Sequence, residues 1–241
     1  MALNKKVCGK ISSLFPNTKF NIYSHYVDIV KSKICAGNVI LDIGGGKKCV
    51  YATDRQTDSY RIIGIDISDD ELKLNSDVDE RIVADITKSI PLDDSSIDIV
   101  TSSSVLEHLR DLESSVKEIS RILRSGGIFI SVLPNKFALF AIINQCLPHF
   151  LSRKILFKLH PEAKGIGGFK AYYNRCYFAA LSKLLRRNGF EDVEFVFNYN
   201  QSGYFSFFVP CFLMSIVWDY FMYLLGMRNL CAYVCFAAKK Q

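Results

Sequence analysis

Seven short runs of aliphatic and β-branched residues recur along the chain, at 38–43, 60–65, 81–84, 97–101, 127–133, 193–197 and 231–237. They are apolar continuously rather than at every second position, the pattern of strands covered on both faces in a parallel sheet. Helical segments fill the intervals, which predicts an α/β chain with helices on both sides of a doubly wound sheet. The rhythm of the seven runs predicts a mostly parallel sheet whose last two members form a hairpin, so that the last strand is antiparallel.

The intervening helices carry local signals. Ser68 followed by Glu71 is a capping box that starts a short helix over 71–74. Leu109, Leu112, Val116, Ile119 and Leu123 recur at steps of three and four, the buried stripe of an amphipathic helix. Gly126 and Gly127 would stop it and release the chain into its fifth strand. Asn174 reads as the N-cap of a helix with the stripe Phe178, Leu181, Leu184 and Leu185, stopped at Gly189. An N-terminal helix over 23–35 precedes the first strand.

Composition narrows the class. With 241 residues, 49% of them hydrophobic and 22% charged, the chain suits one globular unit over 1–241 with a sizeable core. That core would be drawn from 19–135 and 171–241, with insertions at 136–170 and 198–230. The net charge of +6, from 30 basic and 24 acidic residues, is spread out. It forms no concentrated stripe, so no nucleic-acid partner is expected. The balance is compatible with an anionic membrane surface. None of the eight cysteines forms a CxxC pair or a Cys/His cluster with zinc spacing. No metal is therefore expected, and reduced thiols point to a cytoplasmic protein. Residues 1–10 are polar and lack the apolar core of a signal peptide.

Candidate chemistry lies at the ends of the first three strands. The run Val39-Ile40-Leu41-Asp42-Ile43 ends in Gly44-Gly45-Gly46, a bend where backbone can approach a ligand without a Cβ in the way. A helix would normally follow and present its N–H groups. The second strand ends at Asp66, a carboxylate able to accept from both hydroxyls of a ribose. The third ends at Asp85 and Ile86, able to accept from an adenine amino group and to pack on its ring. Each Asp alone could equally be a turn residue or helix cap. Three successive strand ends of suitable type are harder to assign to chance. Gly44-x-Gly46 continues as Lys47-Lys48-Cys49, without the third glycine of a dinucleotide fingerprint, and no Walker loop is present. Carboxylates without a phosphate grip suit an unphosphorylated nucleoside that carries positive charge.

From Val39 to Asn135 the chain resembles the class I S-adenosylmethionine-dependent methyltransferases, specifically the methyltransferase type 11 group, which have a Rossmann-like fold. The resemblance rests on Leu41-Asp42-Ile43-Gly44-Gly45-Gly46, Gly64-Ile65-Asp66-Ile67-Ser68, Val83-Ala84-Asp85-Ile86, the run from Ser96 to Ser103, and Val105-Leu106-Glu107-His108-Leu109. The run from Arg121 to Gly127 matches the family's lead into its fifth strand. The resemblance implies S-adenosylmethionine as cofactor. Asp42, Gly44 and Gly46 would surround its methionine moiety, Asp66 with Ile67 its ribose side, Asp85 and Ile86 its adenine, and Ser102 and Ser103 the methyl donor. Lys48 departs from the pattern, standing where many members carry a third glycine.

Methyl transfer is an in-line displacement for which the protein supplies alignment and desolvation, and a base only if the nucleophile must lose a proton. His108, His160 and Tyr173, with Tyr172, are the candidates on the substrate side. His108 could equally be a helix-start residue bonded to backbone, and the others packing residues of a loop. Two apolar insertions follow the fifth and sixth strands, between Phe137 and Leu159 and between Tyr204 and Met227. The second holds a single charge, Asp219, and is interrupted by Pro210. A final strand must return to the sheet after it, so a helical hairpin or interfacial helix is expected rather than a membrane span. Together the insertions would form a lid for a small-molecule or lipid substrate, or a peripheral membrane contact. A dimer interface or additional core is the alternative. The competing reading of the whole chain is a catalytically silent Rossmann-like scaffold.

Overall fold

The computed structural model describes residues 2–52, 59–161 and 169–241. Helices α1 (Ala2–Ser12) and α2 (Ile22–Lys33) lead into β1 (Val39–Ile43). There follow β2 (Arg61–Asp66), α3 (Asp69–Leu72), β3 (Glu80–Val83), β4 (Ile97–Ser103), α4 (Leu112–Ile122) and β5 (Leu123–Pro134). The second half contains α5 (Leu139–Cys146), α6 (His149–Leu159), α7 (Phe178–Arg187), β6 (Phe190–Asn198), α8 (Val209–Leu224) and β7 (Tyr233–Lys240). Among the described residues the strands form one sheet of seven in the order β3-β2-β1-β4-β5-β7-β6. Strands β1 to β5 are mutually parallel, and β7 is antiparallel to both its neighbours, so β6 runs with β5. This is the Rossmann-like architecture expected from the run pattern.

The uninterrupted apolar runs have their cause in this arrangement. On one face of the sheet Leu41, Ile43, Val100, Phe129 and Leu133 pack with Leu112, Val116 and Ile119 of α4 and Leu181, Leu184 and Leu185 of α7. On the other, Ile40, Ile62, Ile99, Ile130 and Val132 pack with Ile22, Tyr26 and Val30 of α2. The two edge strands break the rule. In β3, partly buried and exposed positions alternate, and Val83 stands half exposed, because nothing pairs beyond it. In β6, Glu191, Asp192 and Glu194 point outward on the opposite edge.

Several local expectations change. Ser68 caps α3 by accepting from the Glu71 amide, but the helix spans 69–72 rather than 71–74. Helix α4 is capped by Asp111 and ends at Ile122, one residue before the Leu123 assigned to its stripe. Leu123 opens β5, and Gly126 and Gly127 lie within that strand at a register irregularity against β4, not at a helix stop. Asn174 does not cap α7: its amide donates to the Arg110 carbonyl, and Tyr177 holds the N-cap position. Gly189 does follow the end of α7, at φ +80°. No helix begins in residues 44–52 after the glycine bend; they form turns, with the Cys49 amide donating to Asp77 Oδ2. The polar N-terminus forms α1, which packs on α8 through Cys8, Phe212 and Ile216.

The apolar insertions are helical, as expected: α5 and α6 follow β5, and α8 separates β6 from β7. Both depart from the carboxyl ends of strands pointing the same way. They are tied together through Gln201, whose side-chain oxygen accepts from the Leu139 amide at the start of α5 (2.6 Å) while its amide groups donate to Asp219 of α8 (2.9 Å each). Among the described residues no helix is long and apolar enough to cross a membrane.

Candidate active site

The glycine bend and the two carboxylates meet at one rim. Gly44 and Gly46 have φ of +72° and +41°, conformations that L-residues with a Cβ seldom adopt. A Cβ on Gly44 would fall 2.2 Å from Val105 Cγ2, so the bend is pressed against the segment that leaves β4. The amides of Gly44 and Gly45 both donate to the Ile65 carbonyl, fixing the bend to the end of β2. The Gly46 amide donates to Asp66 Oδ2 (3.0 Å) and the Ser68 amide to Asp66 Oδ1 (2.9 Å). One step along the rim, Val83 is the register partner of Asp66, and the Ala84 amide donates to the Asp66 carbonyl. This brings Asp85 to the same edge. Its Oδ1 accepts from the Thr87 amide and hydroxyl, which hold its pKa below the ordinary carboxylate value.

The other residues named from the sequence divide. Ile67 stands exposed beside Asp66, with a face open to a ring, whereas Ile86 is packed into the core. Ser102, at the end of β4, is fully buried, and its Oγ has no hydrogen-bond partner among the described residues; Ser103 is partly buried. Asp42 does not offer an open carboxylate. It is buried behind the bend, on the face covered by α2, and accepts from the Thr101 hydroxyl at 2.7 Å, while Tyr51 OH lies 3.0 Å from the same hydroxyl. Burial pushes its pKa up to about 7, opposed by hydrogen bonds from Thr101 and Cys49. The side chain joins β1 to β4 beneath the bend. Among the described residues no cluster of His, Cys, Asp and Glu is placed to hold a metal ion.

A cavity of about 380 Å³ opens beside the segment that leaves β4, whose Val105 packs against the bend. Its floor comes from the segment after β4, with Ser104, Glu107 and His108. Its apolar walls come from both insertions, including Phe140, Leu156 and Phe207. Tyr173 and His160 also line it, and Tyr172 does not. Tyr173 is held at φ +50° with its amide donating to the Glu107 carbonyl and its OH accepting from Asn144. His160 Nε2 lies 3.3 Å from the Tyr204 carbonyl. His108 is held by contact of Nδ1 with the Lys170 carbonyl (2.9 Å), and burial lowers its pKa. Three of the four substrate-side candidates therefore share the cavity, while Tyr172 instead accepts from Arg110 outside it.

The group that sequence reasoning passed over is Glu107. It is buried, its Oε2 has no hydrogen-bond partner among the described residues, and burial pushes its pKa up to about 8. Its Oε1 lies 3.7 Å from His108 Nε2. The signal was a lone acid between Leu106 and His108 in an apolar turn, where the imidazole drew the attention. Tyr23, Tyr204 and Tyr233 also reach the cavity, and Tyr23 OH lies 2.9 Å from Ser104 Oγ.

Comparison with known proteins agrees with this geometry. A methyltransferase-domain family model matches residues 41–131, from the middle of β1 into β5. A probable S-adenosylmethionine-dependent methyltransferase of Mycolicibacterium smegmatis is 29% identical over 176 residues, which are 66% of this chain and 63% of that protein. The match thus spans less than two thirds of the relative's length. A sarcosine/dimethylglycine N-methyltransferase of Halorhodospira halochloris is 32% identical over 45% of this chain and 32% of its own. The crystal structure of an S-adenosylmethionine-dependent methyltransferase from Archaeoglobus fulgidus superposes with a TM-score of 0.58 at 17% identity, covering 91% of this chain and 93% of that one, and so shares its fold. Residues 41–131 thus match the methyltransferase-domain family model, and the chain shares the Rossmann-like fold of S-adenosylmethionine-dependent methyltransferases.

Proposed function

We propose that the chain transfers the methyl group of S-adenosylmethionine to a small lipophilic acceptor held in the cavity, with Glu107 receiving the acceptor's proton. The rim fits the cofactor on three counts. The bend at Gly44–46 carries no Cβ, so a ligand beside Asp66 can come close to the backbone. Asp66 keeps lone pairs beyond the two it gives to Gly46 and Ser68, enough for a ribose diol. The unpartnered Ser102 Oγ lies near the end of β4, where Ser102 pairs with Ile43 beside the bend. Asp85 would take the adenine amino group and Ile67 pack beside the ribose. When bound, S-adenosylmethionine supplies a sulfonium methyl that needs only an aligned nucleophile.

The residues of the chain do the remainder. The segment from Ser102 to His108 serves both places: Val105 touches the bend and Ser104 and Glu107 floor the cavity, so cofactor and acceptor would meet across it. The apolar walls strip water from the nucleophile. An acceptor O–H or N–H would give its proton to Glu107 Oε2 as the new O–C or N–C bond forms and the C–S bond breaks with its electron pair on sulfur. His108, 3.7 Å from the other oxygen and 30% exposed at its side chain, offers that proton a way out. A carboxylate with its pKa near 8 is matched to the task of a base near neutral pH.

The observation that carries this reading is Glu107, a buried acid that lines the cavity and whose Oε2 has no hydrogen-bond partner among the described residues. The test is incubation with methyl-labelled S-adenosylmethionine and a lipid extract, comparing wild type with Glu107→Gln. Label should enter the organic phase with wild type and not with the variant. Label confined to a water-soluble acceptor would overturn the lipophilic assignment. No transfer at all, with cofactor binding intact, would favour the silent scaffold.

A further inference from the structure

Helix α8 is inside out. Its buried face carries Ser215 and Asp219 together with Phe212, Ile216 and Met222. Its exposed face carries Leu213, Met214, Val217, Trp218, Phe221, Tyr223 and Leu224, with no charged side chain; Met214 is 74% exposed, Val217 60% and Phe221 54%. A surface helix of a water-bathed protein shows the opposite arrangement, and an exposed apolar patch of this kind marks a surface that meets something apolar. Asp219 cannot rotate outward to relieve it, because it accepts from the Gln201 amide and side chain and from the Ser202 amide.

The neighbouring helices say what that something is. Helix α1 packs along α8 and carries Lys5, Lys6 and Lys10 on its exposed positions. Across the cavity, α6 carries exposed Arg153, Lys154 and Lys158 beside Phe150, itself 74% exposed. Neither helix contains an acidic residue. The turn that leads from β6 into α8, with Phe205 and Phe207 in the cavity wall, is held to α1 by a hydrogen bond from Asn4 to the Phe207 carbonyl. An apolar helix flanked by cations of one sign complements an anionic lipid surface: the helix enters the headgroup boundary and the lysines meet phosphate. A second copy of the chain would oppose these cations to one another. A 16-residue helix, with Pro210 in its first turn, is too short to span and suits lying in the interface.

We infer that α8, flanked by α1 and α6, docks the protein on the surface of an anionic phospholipid bilayer, placing the cavity beside the lipid phase. The docking is independent of which acceptor atom is methylated. It is tested by flotation of the full chain with phosphatidylcholine vesicles, pure or containing about 30 mol% phosphatidylserine. Wild type should float with the anionic vesicles and lose binding as salt rises. Val217→Glu/Phe221→Glu should reduce recovery on the order of tenfold. Lys154→Glu/Lys158→Glu, at exposed positions that leave folding alone, should reduce it as well. Wild type remaining in the soluble fraction overturns the inference, as does unchanged flotation of the Val217→Glu/Phe221→Glu variant. A dimer in sedimentation velocity that this variant converts to monomer, without vesicle binding, would show that a second copy covers the face. Methyl transfer to a detergent-dispersed acceptor reads the cavity separately, so the two readings fail separately.

Discussion

Replacing Glu107 with Gln removes the ionisable group of a buried, cavity-lining side chain whose Oε2 has no hydrogen-bond partner among the described residues, while keeping the shape of the side chain. Burial holds this carboxyl at about 8 in the folded protein against 4.5 for the free side chain. Between those values the folded protein keeps a proton that the unfolded chain has released. Stability therefore falls as pH rises from 4.5 to about 8 and is flat above it. At about 1.4 kcal/mol per pH unit, the wild type loses roughly 2 kcal/mol by pH 6 and roughly 5 kcal/mol by pH 8.5. The Gln variant has no such dependence, so its advantage over wild type should grow by about 3 kcal/mol between the two pH values. In urea unfolding this is a divergence of midpoints of about 1 M. The same substitution should lower kcat by about 100-fold or more if Glu107 receives the acceptor's proton. Wild-type kcat/KM should rise with pH and level off above about 8, while cofactor affinity stays unchanged. Parallel pH profiles of stability would refute the buried ionisation, and a kcat within about threefold of wild type would refute the base.

Gly44→Ala places a methyl 2.2 Å from Val105 Cγ2 at a φ of +72°. It should lower the melting temperature by about 5 °C or more and weaken cofactor binding; adding Val105→Ala should recover the steric part and leave the φ cost. Asp219→Ala strips three buried donors on Gln201 and Ser202 of their acceptor and should cost about 3 kcal/mol or more. Hydrogen exchange at those two amides should accelerate well before the sheet amides do; uniform protection would contradict a lid held by Asp219.

The strands were legible because a sheet covered on both faces demands unbroken apolar runs, and their ends were marked by the glycines and acids at 44–46, 66 and 85. Where long-range contacts decide, local signals misled. Asn174 has the chemistry of a helix cap, but Arg110, far back in the chain, takes its amide. The turn at 47–49 offers no helix because Asp77 claims the Cys49 amide from 28 residues away. Asp42 stands next to the glycine motif, yet its partner is Thr101 on the far face of the bend. Glu107 was visible as an odd charge, but the return of the chain at Tyr172 and Tyr173, whose amides donate to its backbone carbonyl, is a contact that no spacing reveals. The scarcity of charge between Tyr204 and Met227 was plain; that its one acid points inward was not.

Gly44–46, Asp66 and Asp85 share one rim, and calorimetric titration of S-adenosylmethionine into wild type and Asp66→Ala tests its role as the cofactor site most directly. Asp66 joins the bend to the strand end through Gly46 and Ser68, so circular dichroism of the variant must accompany the titration. Saturable one-to-one binding by wild type, weakened by about tenfold or more in a variant with an unchanged spectrum, is the outcome expected. Wild type that takes up no cofactor, or a folded Asp66→Ala that binds it equally well, would contradict the account.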